Sequence, residues 1–283
     1  MNTNPCNDLR HKSILPPPLD CANLTLPNAL IVGPQKTGST ALATFLSLHP
    51  NVSTNAPIAH TFEEMQFFGG INYRRGVEWY AHHFSKSRIV YEKSATYFDN
   101  GNAARDAFAL IPNAKIIVIL SDPSRRAYSW YQHVLAHNDT AVLSAKNLLE
   151  ILDSDIIELK RIKQRCISGG RYAHHLTRWL EFFSMPDLIL IDGERLREEP
   201  VRVRSFFFIS LYAIALQRDF SVTNGSLKCL GRGKGRIYPP MSPELSARLN
   251  RIFLQDNIAL HRFLVANHLP VPKWLQSHLR LKA

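Results

Sequence analysis

Short, continuous apolar runs alternate along this chain with segments whose apolar residues recur at helical spacing. The run Ala29 to Gly33 is typical of a strand that is buried on both faces. Similar runs predict strands at Ile89 to Tyr91, Lys115 to Leu120 and Leu188 to Ile191. The segments between the runs predict helices at Ser39 to Leu48, Gly76 to Phe84, Ala103 to Leu110, Arg125 to His137, Ser144 to Gln164 and Tyr172 to Phe183. Because strands alternate with helices, we expect an α/β fold built on a parallel, doubly wound sheet.

The two ends of the chain differ from this alternating region. Residues 1 to 27 are polar and are interrupted by prolines, which is typical of an irregular lead-in. Residues 243 to 282 follow a helical pattern that is broken near Pro270 and Pro272. We find no internal repeat, and we therefore predict a single domain over residues 28 to 283.

The chain is strongly basic. It contains 34 Lys and Arg residues but only 23 Asp and Glu residues, which gives a formal net charge of +11. A positive excess of this size favours polyanionic partners, such as nucleic acid, an acidic membrane or a sulfated glycan. The sequence has no recognised nucleic-acid-binding motif, so we do not expect a nucleic-acid partner.

No apolar run approaches the roughly 20 residues that a membrane-spanning helix needs. The N-terminus shows no secretory pattern, so we expect a chain without a visible signal or membrane anchor. The four cysteines include no CxxC pair, which argues against a zinc site, although one or two disulfides would fit a secretory compartment. That compartment would also suit the four N-x-[ST] sequons, at Asn23, Asn51, Asn138 and Asn224.

The segment after the first predicted strand is a candidate anion site. Backbone N–H groups at the start of a helix bind anions, and a turn with Gly, Lys and Ser/Thr residues precedes a helix here. The residues concerned are Gly33, Lys36, Thr37, Gly38, Ser39 and Thr40. Lys36 precedes Gly38 instead of following it, so the turn lacks the Walker A spacing and we do not expect ATP or GTP hydrolysis. The alternative is an ordinary strand-to-helix turn with a solvated lysine.

Five motifs, in this order, resemble one family. They are Gly33 to Thr40, Thr61 to Phe68, Tyr91 to Asp99, Arg126 to His133 and Cys229 to Pro239. The first resembles the 5′-phosphosulfate loop of sulfotransferases that use 3′-phosphoadenosine-5′-phosphosulfate (PAPS). Together they resemble the C-terminal sulfotransferase domain of the bifunctional heparan sulfate N-deacetylase/N-sulfotransferases. The resemblance extends from about Asn4 to the C-terminus, with an interruption between about Phe206 and Thr223.

This resemblance implies a P-loop-like parallel sheet flanked by helices, with a strand, a loop and a helix that bind 5′-phosphosulfate. It implies transfer of a sulfuryl group from PAPS to the amino group of glucosamine in heparan sulfate or heparin, in the Golgi lumen and without a metal. Two alternatives remain open, namely a heparan sulfate 3-O-sulfotransferase and an inactive relative that only binds the glycan. Residues 61–68 and 130–133 are closer to the N-sulfating branch.

The resemblance also assigns residues to the donor site. Lys36 matches the lysine that contacts the bridging and 5′-phosphate oxygens, and Ser129 matches the serine that binds the 3′-phosphate. Ser129 would otherwise be a polar residue on the outer face of a helix. Many sulfotransferases have an Arg-Asp-Pro sequence where this chain has Ser121 to Pro123, so Arg126 is a candidate for the missing contact. The other implied donor residues are Thr37, Gly38, Ser39, Thr40, Lys234, Gly235, Arg236, Ile237 and Tyr238.

The acceptor amine must lose a proton before it attacks, so the reaction needs a base. By resemblance that base is Glu64, with Glu63 as a structural neighbour, and His133 lies near the reacting centre. Lys93 and His137 match residues that contact the acceptor glycan. Simpler interpretations remain open, namely two glutamates in the first turn of a helix, a salt-bridge lysine at a strand end and exposed histidines.

The sequence departs from the family between Phe206 and Val222. Family members have a disulfide hairpin ahead of the position of Cys229, but this stretch is apolar and contains no cysteine, so Cys229 lacks its usual partner. Cys166 is a conceivable substitute. The deacetylase domain and Golgi anchor that precede this domain in the family have no counterpart in the sequence, so we expect either a fragment or a chain that lacks them.

Overall fold

A computed structural model describes three parts of the chain, residues 24–58, 63–198 and 238–280. Residues 1–23 of the lead-in, the segment 206–222 and Cys229 lie outside the described residues. So do four of the candidate donor residues, Lys234, Gly235, Arg236 and Ile237. Residues 24–27 form neither helix nor strand, as expected for the end of an irregular lead-in.

Within the described residues, five strands form one sheet. The strands are β1 Ala29–Gly33, β2 Val52–Thr54, β3 Ile89–Lys93, β4 Lys115–Leu120 and β5 Leu188–Asp192. The α-helices are α1 Ser39–Leu46, α2 Gly76–Ala81, α3 Ala103–Leu110, α4 Pro123–Leu135, α5 Thr140–Leu143, α6 Leu148–Asp153, α7 Ile157–Ser168, α8 Tyr172–Leu180, α9 Gly193–Glu198, α10 Pro243–Ala266 and α11 Lys273–Arg280. Short 3-10 helices occur at Ile71–Arg75 and Met185–Asp187. The predicted α/β class, a parallel sheet flanked by helices, is confirmed.

The strands lie in the order β2-β3-β1-β4-β5. β1 pairs in parallel with β3 and β4, and β2 pairs in parallel with β3. All residues of the central strand β1 are buried, as expected when both faces of a parallel sheet are covered. The register places Leu30 beside Glu92 and Ile31 beside Lys93, so β3 continues beyond the predicted apolar run. Two charged residues therefore belong to a fully buried strand.

The predicted helix from Ser144 to Gln164 is wrong. Two separate helices, α6 and α7, cover most of this region, and α5 ends at Leu143, before the region begins. Asn147 Oδ1 accepts a hydrogen bond from the Glu150 N–H at 3.1 Å and caps α6, and Ser154 Oγ accepts from the Ile156 N–H at 3.1 Å just before α7. Short polar side chains that bond the nearby backbone compete with helical hydrogen bonds, so they divide the apolar pattern into short helices.

The described residues fall into two compact units. The first unit comprises residues 24–34, 38–58, 63–119 and 177–198. The second unit comprises residues 35–37, 120–176 and 238–280. The sheet belongs to the first unit, whereas the second unit is mainly helical. The single domain over residues 28 to 283 remains a prediction.

Each unit has its own apolar core. In the first unit, Leu42 and Leu46 of α1 share a core with strand residues such as Ile31. In the second unit, Trp130 of α4 shares a core with Phe253 of α10 and with side chains of α6 and α7. Burial of these apolar surfaces fixes β1 against α1 in one unit and α4 against α10 in the other.

We expect Gly33→Ala to lower the free energy of unfolding by about 2 kcal/mol or more. Gly33 has a φ of +103°, and an added Cβ would lie 2.4 Å from the carbonyl oxygen of Ala95, which is backbone. Urea unfolding followed by circular dichroism measures the loss. Gly101→Ala is the matched control, because its added Cβ would meet nothing within 4 Å, and it should change stability by about 0.5 kcal/mol at most. Equal losses from the two variants would contradict the close-contact explanation.

Candidate active site

The loop between β1 and α1 has the features of an anion site. Gly33, Lys36 and Gly38 have positive φ angles of +103°, +73° and +109°. Gly38 is the N-cap of α1 and has no side chain to accept from the first-turn N–H groups, and that turn contains no acidic residue. Lys36 is exposed, whereas Thr37 and Ser39 are buried. Because N–H groups without a side-chain cap and the helix dipole attract anions, these residues fit the phosphosulfate group that the resemblance implies.

Helix α4 holds this loop through Gln35. Trp130 Nε1 donates to Gln35 Oε1 at 3.1 Å, and Arg126 Nη1 makes a longer contact of 3.5 Å with the Gln35 carbonyl oxygen. Arg126 also donates to the carbonyl oxygen of Cys166, and it is only 2% exposed. Arg126 is the sequence candidate for the missing 3′-phosphate contact, but its burial and its carbonyl partners favour a role in supporting the loop.

Cys166, the conceivable partner of Cys229, carries a free and buried thiol. Its Sγ atom lies 3.5 Å from the Ala127 carbonyl oxygen, inside the core of the second unit. Burial raises the pKa of the thiol to about 11. A thiol that stays protonated at neutral pH reacts slowly, so the environment of Cys166 does not favour its use as a substitute partner.

Two of the predicted site residues lie on helix α4, and a third lies just beyond its C-terminal end. Ser129, His133 and His137 are four residues apart, a spacing that places them one above another along a helix. Ser129 and His133 are partly exposed, and His137, just beyond the end of α4, is exposed. His137 Nδ1 lies 2.7 Å from the His133 carbonyl oxygen, and the two rings are 4.2 Å apart. Over residues 24–58, 63–198 and 238–280, no group of three or more His, Cys, Asp or Glu side chains is arranged to hold a metal ion.

The predicted donor loop 234–238 reaches the described residues only at Tyr238. The Tyr238 ring packs edge to face on Tyr128 of α4, with centroids 5.5 Å apart. The Tyr128 hydroxyl donates to the Pro239 carbonyl oxygen at 2.9 Å. These two contacts anchor the end of the predicted loop on the helix that carries Ser129.

In the first unit, a buried lysine lies at the carboxyl end of β3. The Lys93 ammonium is 2.9 Å from Glu63 Oε2, 3.2 Å from Glu64 Oε1 and 3.5 Å from Thr40 Oγ1. The Lys93 side chain is 5% exposed, against 49% for Glu63 and 18% for Glu64. A buried ammonium needs opposite charge beside it because its desolvation is costly. The structure therefore brings together three residues that the sequence singled out, and it also shows that Lys93 makes salt bridges.

Glu63 and Glu64 do not lie in the first turn of a helix, and that interpretation is wrong. The backbone N–H groups of residues 66–68 donate to Ser94 Oγ and Tyr97 Oη, at distances between 2.7 and 3.2 Å. They are therefore not available for helical bonds to the carbonyl groups four residues earlier. Glu63 faces Lys93, as Glu64 does.

These hydroxyl groups share a carboxylate, that of Glu92, which was not among the predicted site residues. Glu92 is 0% exposed and accepts hydrogen bonds from the hydroxyls of Tyr80 (2.6 Å), Ser94 (2.5 Å) and Tyr97 (3.2 Å). Burial raises the pKa of Glu92 to about 7, the hydroxyl bonds oppose this shift, and the charge of Glu64 adds to it. The signal available in the sequence is a glutamate directly after the apolar run of β3.

Comparison with known proteins defines the family of this chain. The family model described as the sulfotransferase domain matches residues 26–205. The chain belongs to the sulfotransferase family. The matched range includes the loop after β1, the Lys93 salt bridges and helix α4.

Curated relatives of this sulfotransferase extend the match to nearly the whole chain. Bifunctional heparan sulfate N-deacetylase/N-sulfotransferase 1 of Caenorhabditis elegans is 50% identical over 99% of the chain and 34% of the relative. Bifunctional heparan sulfate N-deacetylase/N-sulfotransferase 4 of Mus musculus is 42% identical over 98% of the chain and 34% of the relative. The chain thus spans about a third of the length of these relatives.

A solved structure supports the fold of the sulfotransferase. The crystal structure of a sulfotransferase from Alicyclobacillus acidocaldarius has a TM-score of 0.66 at 22% identity, and the match covers 89% of this chain and 99% of that chain. Among the helices of the described residues, none has the length and apolar character to cross a membrane.

Glu92→Gln should remove a pH dependence of stability. The folded-state pKa of about 7 lies above the ordinary value of 4.5, so between these pH values the folded state keeps a proton that the unfolded state has lost. The stability that comes from neutral Glu92 is complete below pH 4.5 and is lost as the pH rises through 7. We therefore compare the free energy of unfolding of the wild type with that of Glu92→Gln. As the pH rises from 4.5 to 7, the wild-type value should fall by about 3 kcal/mol relative to the variant. Urea unfolding at a series of pH values measures the difference, and a constant difference would contradict the raised pKa.

Proposed function

We propose that this sulfotransferase transfers the sulfuryl group of PAPS to the amino group of glucosamine in heparan sulfate or heparin precursors, as a step of heparan sulfate biosynthesis. The observation that carries the proposal is the 50% identity, over 99% of the chain, to a relative whose name specifies heparan sulfate N-sulfotransferase. The chain covers only 34% of that relative, so we do not extend the proposal to N-deacetylation. We propose the Golgi lumen as the compartment, as the family resemblance implies.

The loop after β1 supports PAPS as the donor. PAPS presents a charged 5′-phosphosulfate, and the loop offers an exposed Lys36 and a helix start whose N-cap supplies no side-chain acceptor. Hydroxyl side chains follow directly in the loop and in the first turn of α1. Helix starts with these features bind anionic groups. We assign the 5′-phosphosulfate to Lys36, Thr37, Gly38, Ser39 and Thr40.

We assign the 3′-phosphate of the donor to residues on and near α4. Ser129 is partly exposed on that helix, and Tyr238 is anchored on Tyr128 of the same helix. The family pattern adds Lys234, Gly235, Arg236 and Ile237, whose charges and backbone N–H groups suit a phosphate. Arg126 is left out of this set because its guanidinium is buried against carbonyl groups.

The reaction needs positioning and charge stabilisation more than covalent participation of the protein. The acceptor nitrogen attacks sulfur while the bond between sulfur and the 5′-phosphate oxygen breaks, which gives an N-sulfated glucosamine and 3′-phosphoadenosine-5′-phosphate. Lys36 would offset the negative charge on the departing phosphate. Glu64 would accept the proton that the amine gives up. Its carboxylate keeps some access to solvent, at 18% exposure, while Lys93 holds it in place.

The acceptor is an anionic glycan, which suits a chain with a net charge of +11. We propose His133 near the reacting centre and His137 along the glycan, because both remain accessible at the end of α4. Lys93 is the remaining candidate for glycan contact. Its two salt bridges indicate that holding Glu63 and Glu64 is its first role.

The proposal is tested by incubating the chain with radiolabelled PAPS and de-N-sulfated heparin, followed by location of the label. We expect the label on the glucosamine nitrogen. Label on oxygen would support 3-O-sulfation instead. If the chain binds PAPS and glycan but transfers nothing, it is an inactive glycan-binding relative.

Lys36→Ala should lower the rate of sulfuryl transfer about a hundredfold, because a lost cation beside the leaving phosphate costs roughly 3 kcal/mol of transition-state stabilisation. Lys36 is exposed, so thermal unfolding should not change. The matched control is Lys86→Ala, which removes an exposed lysine that lies outside the loop between β1 and α1 and should keep normal turnover. Near-normal turnover of Lys36→Ala would refute its assignment.

Glu64→Gln should lower turnover by roughly 10² to 10⁴, the usual contribution of a positioned general base, and should leave PAPS binding unchanged. Glu63→Gln is the matched control because it removes one carboxylate from the same lysine. We expect Glu63→Gln to lower turnover less than about tenfold. Equal losses of turnover in steady-state assays would indicate a general electrostatic effect. If neither variant lost turnover, Glu64 would not be the base, and His133 would be the next candidate.

A further inference from the structure

The segment that carries Glu64 is held by a chain of hydrogen bonds from a buried carboxylate. Glu92 Oε1 accepts from Ser94 Oγ at 2.5 Å, and Glu92 Oε2 accepts from the Tyr97 hydroxyl at 3.2 Å. Ser94 Oγ in turn accepts the Gln66 N–H at 2.9 Å. The Tyr97 hydroxyl accepts two further backbone N–H groups, from residues 67 and 68, at 2.7 and 3.2 Å. Three consecutive amides that follow Glu64 are thus bound to hydroxyl groups that face Glu92.

The direction of these bonds depends on the carboxylate. A hydroxyl group has one proton, and Ser94 and Tyr97 each give that proton to Glu92. Their oxygen atoms are then left to accept the backbone N–H groups of residues 66–68. Bonds in such a chain polarise one another, which strengthens the hold on the backbone.

Two adjacent residues of β3 hold the same segment from different directions. Glu92 acts through hydroxyl groups on the backbone of residues 66–68. Lys93 contacts the side chains of Glu63 and Glu64 and also Thr40 Oγ1. Successive residues of a strand point to opposite faces, so the segment is fixed at its backbone and at its carboxylates by separate contacts.

The backbone of the segment has a conformation that needs such contacts. Gln66 has a φ of +45°, which is uncommon for a residue with a side chain. Conformations of this kind persist where the surroundings fix them. The bond from the Gln66 N–H to Ser94 Oγ, and the bond from Asn72 Nδ2 to the Met65 carbonyl oxygen at 2.9 Å, supply that constraint.

We propose that Ser94 and Tyr97, oriented by the buried carboxylate of Glu92, are positioning residues that fix residues 66–68 and thereby place the Glu64 carboxylate for proton transfer. The inference rests on the proposed function in one respect, the role of Glu64 as the base. These residues act through Glu64 and need not touch either substrate.

Tyr97→Phe and Tyr80→Phe form a matched pair for the test. Both tyrosines donate to Glu92 Oε2, both are almost fully buried, and both variants keep the aromatic ring. Only the Tyr97 hydroxyl accepts from residues 67 and 68. We expect Tyr97→Phe to lower kcat roughly 10- to 100-fold with the KM for PAPS changed less than about twofold. Tyr80→Phe should keep kcat within about threefold of the wild type.

Amide hydrogen exchange at residues 66–68 tests the hold on the segment without reference to activity. Exchange should be at least about tenfold faster in Tyr97→Phe than in Tyr80→Phe, because only the first variant removes an acceptor from these amides. Ser94→Ala is a second variant, which should speed exchange at Gln66 and keeps the test decisive if Tyr97→Phe does not fold.

The outcomes separate this inference from the proposed function. A wild-type chain that transfers no sulfuryl group to amines refutes the proposed function, and the exchange rates alone then decide whether the segment is held as inferred. Equal exchange rates in the two tyrosine variants overturn the inference. Equal losses of kcat, or a loss confined to the KM for PAPS, also overturn it, because they indicate a general effect on the fold or on donor binding.

Discussion

The candidate active site depends on one buried positive charge, the ammonium of Lys93. Its side chain is 5% exposed, and breaking a buried ion pair by removing one partner costs roughly 3–5 kcal/mol. The two carboxylates that offset this charge belong to Glu63 and Glu64, about 30 residues earlier in the chain. Because β3 lies beside β1, the same ammonium also reaches Thr40 at the start of α1. Lys93 therefore links a strand, the segment of the proposed base and the helix that follows the proposed phosphosulfate loop, all within the first unit.

A similar constraint operates in the second unit, where Arg126 is buried. Its guanidinium donates to the carbonyl oxygens of Gln35 and Cys166, and Trp130 fixes the Gln35 side chain from the next turn of α4. These contacts hold Gln35, the residue before Lys36, in place. Sulfuryl transfer needs groups that are held in position. Lys93 contacts the proposed base Glu64 directly, whereas Arg126 contacts Gln35, the neighbour of Lys36.

Local patterns in the sequence predicted the central strand and the loop that follows it, because both depend on residues that are adjacent in the chain. The run Ala29–Gly33 is apolar throughout because β1 is buried on both faces, and the Gly and Lys residues of the following loop are adjacent in sequence. The conformation of Glu63 and Glu64 could not be predicted in this way, since it depends on Ser94 and Tyr97, about 30 residues later. The short strand β2 was not predicted for the same reason. It has no apolar run of its own, and it is defined by its pairing with β3.

The central claim, that Lys93 serves the reaction by holding the proposed base, is tested most directly by a double-mutant cycle on the rate of sulfuryl transfer. The variants are Lys93→Met, Glu64→Gln and the combination of both. If Lys93 acts through Glu64, the double variant should be slower than Glu64→Gln alone by no more than about twofold, because the two residues work as a unit. Rate losses that multiply in the double variant would contradict the claim, because they would show that Lys93 acts independently of Glu64.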